Sequence, residues 1–123
     1  MSNVIRFYWP EWKCYLRTPV SMTTASMETI LEVTNGCGRD GIEGVVVPDS
    51  IYGLDISPVC RVHDWMYGEA ESLEDEQDAD SVFAENLVSI IQQKTSSKIM
   101  LWLRLRRAYK YIDAVVLTNC VGK

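Results

Sequence analysis

The chain has 123 residues, 47% of them hydrophobic and 24% charged, which bounds it to one globular domain with a modest core and excludes a disordered chain. A formal net charge of −5 argues against a general nucleic-acid binder. The longest apolar region, residues 99–117, is broken by Arg104, Arg106, Arg107, Lys110 and Asp113, which excludes a membrane span there.

In chain order, YWPEW (8–12) is an aromatic-rich, extended opening. TTASMETILEV (23–33) reads as a short helix with Met27, Ile30 and Leu31 on one side; its hydroxyl-rich start supplies N-cap candidates, and Asn35-Gly36 stops it. TNGCGRDGIEG (34–44) is a loop holding four glycines, able to turn carbonyls or amides towards a ligand. VVV (45–47) suits a short strand, and PDSIYGLDI (48–56) is a connecting segment. Ser57 and Pro58 then open a helix, as N-cap and first helical residue, that runs to about residue 70. ESLEDEQ makes a turn, and a second long helix spans about 77–95 with Val82, Phe83, Leu87, Ile90 and Ile91 at helical spacing. TSSK breaks it, and an amphipathic helix covers about 98–117. These elements predict a mainly helical domain, residues 1–123, built on a central antiparallel helix pair.

Charge is unevenly placed. Residues 64–85 hold nine carboxylates and no Lys or Arg, whereas residues 94–110 hold six cations and no carboxylate. Two solvated faces that attract each other explain this; so does an acidic cation site beside a basic surface for an anionic partner.

The chemistry concentrates in VCRVHDWMYG (59–68), which holds the only histidine. Cys60, His63, Asp64 and Tyr67 fall at i, i+3, i+4 and i+7 and share one helix stripe. Adjacent helical residues point about 100° apart, so His63 and Asp64 address different neighbours: the carboxylate can hold a metal while the imidazole faces a reacting atom. A histidine base needs a partner on its second ring nitrogen. With the turn near residue 73, position 63 faces about position 83. Asp80 shares the apolar face of Phe83 and Leu87, where a carboxylate needs a reason to be. Asp80 is therefore the expected partner.

Cys14, Cys37, Cys60 and Cys120 leave three full pairings open. Two disulfides suit an oxidising compartment, yet the N-terminus lacks the basic start and unbroken apolar run of a cleavable signal peptide. The expected location is extracellular or virion-associated without such a peptide, with a cytoplasmic location as the alternative.

The pattern Cys60-x-x-His63-Asp64-x-x-Tyr67 resembles the active-site helix of the secreted phospholipase A2 superfamily, in its bacterial, fungal and viral-like branch. NGCG (35–38) resembles that family's calcium loop, and DSVFAENL (80–87) its second catalytic helix. The resemblance implies a phospholipase A2-like fold and calcium-dependent hydrolysis of the sn-2 ester of glycerophospholipids. It implies a catalytic set of His63 as general base, Asp80 holding His63, and Tyr67 bonding Asp80. It further implies a Ca2+ site of Asp64 with backbone carbonyls near Asn35, Gly36, Gly38 and Asp40, an oxyanion amide at Gly38, and a Cys37–Cys60 disulfide. Departures are RDGIEG after Gly38, a long stretch between Cys37 and Cys60, and no family counterpart for Cys14 and Cys120.

The implied partner is a phospholipid membrane surface, with no nucleic acid. Trp9, Trp12 and Trp102, with the basic 98–110 stretch, are candidates to meet it. Three rivals compete: an inactive module of the same fold, a structural zinc site using Cys37, Cys60, His63 and a further Cys, and a Cys60–His63 nucleophile pair.

Overall fold

The computed structural model describes residues 3–35 and 47–121, with side chains to residue 116. The chain opens with strands β1 (Val4–Trp9) and β2 (Cys14–Pro19), paired antiparallel from Val4–Pro19 to Trp9–Cys14. Pro10 at the second position of the turn presets its backbone, and the Trp12 N–H donates to the Trp9 carbonyl at 3.1 Å. Lys13 closes the loop at φ 53°. Along β2, Cys14 and Leu16 are buried while Tyr15 and Arg17 face out, the alternation expected of a strand with one face on a core.

The helix read over 23–33 starts later, as α2 (Met27–Val33), and a separate one-turn helix, α1 (Val20–Thr23), precedes it. Ser26 separates them because its hydroxyl accepts from the Thr29 N–H and starts α2 afresh. The connecting segment 48–56 contains a second hairpin, β3 (Ser50–Ile51) and β4 (Leu54–Asp55). Its two turn residues, Tyr52 at φ 46° and Gly53 at φ 79°, have the positive angles that tight two-residue hairpin loops require.

Helix α3 runs Ser57–Glu69. Ile56, not Ser57, is its N-cap, and the Asp55 carboxylate accepts from the Ser57 N–H at 2.9 Å. Helix α4 runs Leu73–Lys94, so the acidic turn is shorter than its composition suggests. Ser72 caps it through the Asp75 N–H, and Asp75 in turn accepts from the Glu71 N–H; the acidic residues form the first turn, where they meet the positive end of the helix dipole. Helix α5 runs Lys98–Val121.

Among the described residues there are therefore five helices and two small antiparallel sheets. This corrects the phospholipase A2-like, mainly α arrangement of a helix pair with one short N-terminal helix. Helices dominate, but residues 4–19 form a β-hairpin that packs on α4, and a second hairpin precedes α3. The physical reason is local: β2 alternates with a strand's period of two, and the aromatics of the opening belong to a pleated surface.

Helix α4 is the centre of the packing, touching α3, α5 and β2. Phe83, Leu87, Ile90 and Ile91 are buried with Val59, Val62 and Met66 of α3, Leu16 of β2, and Ala108 and Val115 of α5. The free edge of β2 is closed by two amide side chains of α4. Asn86 Oδ1 accepts from the Arg17 N–H at 2.7 Å, and its Nδ2 donates to the Arg17 carbonyl at 2.9 Å. Gln93 repeats this on Tyr15, at 2.8 Å and 2.7 Å. Two turns apart on α4, these amides act as a substitute strand.

Candidate active site

Helices α3 and α4 place His63 level with Asp80 and Phe83 across their seam. His63 Nε2 lies 2.7 Å from Asp80 Oδ1, and both residues are buried. A carboxylate accepts and does not donate, so in the neutral imidazole this contact places the proton on Nε2 and the lone pair on Nδ1. Tyr67, one turn after His63, donates its hydroxyl to the same Oδ1 at 3.1 Å. The imidazole is held sterically as well: its centroid lies 4.5 Å from the Tyr67 ring and 5.2 Å from Phe83, the latter edge-on. Among the described residues, Asp80 Oδ2 is buried without a hydrogen-bond partner.

Asp64 points elsewhere, as its position on the helix requires. Its Oδ2 accepts from the Asn35 N–H at 2.7 Å, tying α3 to the chain leaving α2. Burial pushes the Asp64 carboxyl above the ordinary carboxylate range; the Asn35 N–H, His63 and Arg61 pull it back in part. A half-buried carboxylate held in this way fits a cation ligand, because a bound cation would repay its desolvation.

Sequence reasoning missed two residues. Arg61 donates to the Thr34 carbonyl at 2.8 Å and to the Thr34 hydroxyl at 3.1 Å, fixing the start of the 34–44 stretch beside Asp64. The available signal was a lone cation two residues before the histidine. Phe83 was read as core, not as a wall of the imidazole.

A scan against protein-family models and searches of curated proteins and of solved structures find no match.

Of the expected calcium set, Asp64 and Asn35 stand together, with Asn35 contributing its N–H to Asp64. Gly36, Gly38, Asp40 and Cys37 lie outside the described residues. No group of three or more His, Cys, Asp or Glu side chains able to hold a metal occurs among the described residues. Cys60 is disulfide-bonded, so its sulfur serves neither a zinc site nor a nucleophile pair. Cys14 is a free, buried thiol, which removes its pairing with Cys120. Trp9 is buried and bonds Thr18 Oγ1 at 3.0 Å; among the candidate surface tryptophans, Trp9 is thus core and Trp102 is exposed.

Proposed function

We propose that the protein hydrolyses the sn-2 ester of glycerophospholipids in a calcium-dependent reaction, with His63 as general base. The observation that supports this best is the buried His63 Nε2–Asp80 Oδ1 contact at 2.7 Å, which leaves Nδ1 to accept a proton. The substrate class comes from the resemblance of the 60–67 motif.

A water beside Nδ1 gives its proton to His63 as its oxygen attacks the ester carbonyl. The imidazolium that forms is balanced by Asp80, and Tyr67 keeps the accepting oxygen in place. His63 then returns the proton to the departing alkoxide, so no covalent enzyme intermediate is needed. Asp64, with the 34–44 stretch that Arg61 and Asn35 anchor, would hold calcium. Bound there, calcium would polarise the ester carbonyl and stabilise the oxyanion.

The test is turnover of phospholipid in mixed micelles, with calcium and with a chelator. Hydrolysis that stops on chelation and is abolished in His63→Gln supports the reading. No hydrolysis with calcium present overturns it in favour of an inactive binding module. Hydrolysis indifferent to chelation removes the calcium assignment.

A further inference from the structure

The hairpin that opens the chain has two edges, and only one is closed. On β2, the N–H and carbonyl of Tyr15 and of Arg17 are held by Gln93 and Asn86 of α4. In an antiparallel ladder, residues whose main-chain groups turn away alternate with those that pair. Cys14, Leu16 and Thr18 therefore pair with Trp9, Phe7 and Ile5. Val4, Arg6 and Tyr8 turn their N–H and carbonyl groups out from the other side of β1. Among the described residues nothing hydrogen-bonds to these outward groups.

Edge strands are normally blunted by a lysine, a proline, a bulge or brevity. β1 has none of these. It runs six residues in unbroken register, and Pro10 lies past its end. Its one charge, Arg6, lies over the Tyr15 ring, 4.6 Å from the centroid. On the opposite, inner face Thr18 is fully buried, whereas its cross-strand neighbour Ile5 is 41% exposed. Phe7, beside Ile5 on that face, is only partly buried. The apolar inner surface of the hairpin thus reaches the open edge uncovered.

We propose that β1 pairs with β1 of a second copy of this chain, antiparallel about a twofold axis, so that the two hairpins form one continuous sheet. A row of alternating N–H and carbonyl groups is answered by an extended strand, which sets the class of partner. A second copy fits because the edge complements itself. With Phe7 opposite the partner's Phe7, Arg6 stands opposite the partner's Tyr8, and Ile5 opposite the partner's Trp9. The outward main-chain groups of Arg6 and Tyr8 then satisfy one another, each arginine gains a second aromatic ring, and the exposed isoleucine is covered. The neighbouring register would set Arg6 opposite the partner's Arg6, which like charge disfavours. Each copy offers one open edge of this hairpin, so pairing ends at two, with both outer edges of the joined sheet already closed by Asn86 and Gln93. The inference goes beyond the phospholipid reading and does not depend on it, since no residue of the His63 site takes part.

The test is sedimentation velocity of the full chain over a dilution series, where a small interface predicts a reversible, concentration-dependent dimer. Tyr8→Pro deletes an outward N–H from each copy and with it half of the main-chain hydrogen bonds across the axis, while the ladder to β2 keeps its own. It should weaken dimerisation about 25-fold, near a factor of five for each bond lost. Ile5→Lys puts an inward-pointing lysine on the edge and should leave the chain monomeric at the same concentrations. Phe7→Cys should give a disulfide-linked dimer on mild oxidation, because facing residues that do not exchange hydrogen bonds stand close enough to join. Tyr15→Cys, exposed on the closed strand, should not. Far-UV circular dichroism checks that each variant folds; should Tyr8→Pro not fold, Ile5→Lys, at an exposed position, and the two cysteine variants decide. A chain that is monomeric at every concentration, a dimer unaffected by Ile5→Lys, linkage from Tyr15→Cys as ready as from Phe7→Cys, or assembly beyond two copies overturns the proposal.

Discussion

Helix α4 carries two polar seams, and they are built differently. Towards α3 it turns Asp80 onto His63. Towards β2 it turns Asn86 and Gln93 onto a strand edge. The second seam is neutral: each amide answers one N–H and one carbonyl, closing an edge that would otherwise be open to pairing. The first uses ionisable groups in a dry place, and among the described residues Asp80 Oδ2 has no hydrogen-bond partner. Buried charged pairs are weak contributors to stability and are often replaceable by apolar groups. Two seams on one helix are thus built from different chemistry: neutral amides hold the hairpin, while an imidazole–carboxylate pair joins α3 to α4, the pair to which the proposed function assigns proton transfer.

The sharpest way to break that comparison is Asp80→Asn. It preserves shape but removes the charge that orients His63 and balances its protonated form. Turnover should fall about 10²–10⁴-fold, the range of a positioned base, while the urea midpoint moves little. Retained turnover with a large stability loss would make the α3–α4 seam as structural as the other. The mirror experiment is Asn86→Ala. Two hydrogen bonds are lost from a buried position, which should cost about 1–3 kcal/mol of unfolding free energy, read by denaturant titration. Turnover per folded molecule should stay as in the parent chain.

The two seams also differ in how far the sequence reveals them. Asp80 was legible because it breaks an apolar face next to Phe83, and a helix pair joined by a short turn fixes which levels meet. The sense of Asn86 and Gln93 was not, because their partners stand 69 and 78 positions away in a strand, and amides on a long helix look like solvated residues. The hairpin itself was missed where β1 exposes more than it buries, so only β2 alternates cleanly. Asp64 and His63 were separable from the turn angle of a helix alone. The grip of Arg61 on Thr34 was not, since a long side chain reaches without leaving a periodic trace.

A smaller effect grades the His63–Asp80 seam from within. Tyr67→Phe removes one hydroxyl donor at 3.1 Å from Asp80 and leaves the His63–Asp80 contact. One such bond is worth about 1 kcal/mol, so kcat should drop several-fold with KM unchanged. A loss as large as that of Asp80→Asn would mean that Tyr67 touches the reacting groups instead of bracing the carboxylate.

The smallest expected effect lies on the structural side. Cys14 starts β2, buried and free. Burial pushes its thiol above the ordinary value of 9.0; Lys94 opposes this and Asp55 adds to it. A raised folded-state pKa means that the unfolded chain loses this proton first as pH rises. The stabilisation is therefore fully present below pH 9.0 and is lost above it, by at most about 1.4 kcal/mol per pH unit. Lysines and tyrosines titrate in the same window, so the informative quantity is the parent chain minus Cys14→Ala, measured by denaturant unfolding from neutral to alkaline pH. That difference should be flat below pH 9.0 and turn against the parent chain above it. A flat difference throughout would mean that the thiolate reaches water in the folded state. The hairpin edge would then open locally, and the amide seam would be looser than the imidazole seam it is compared with.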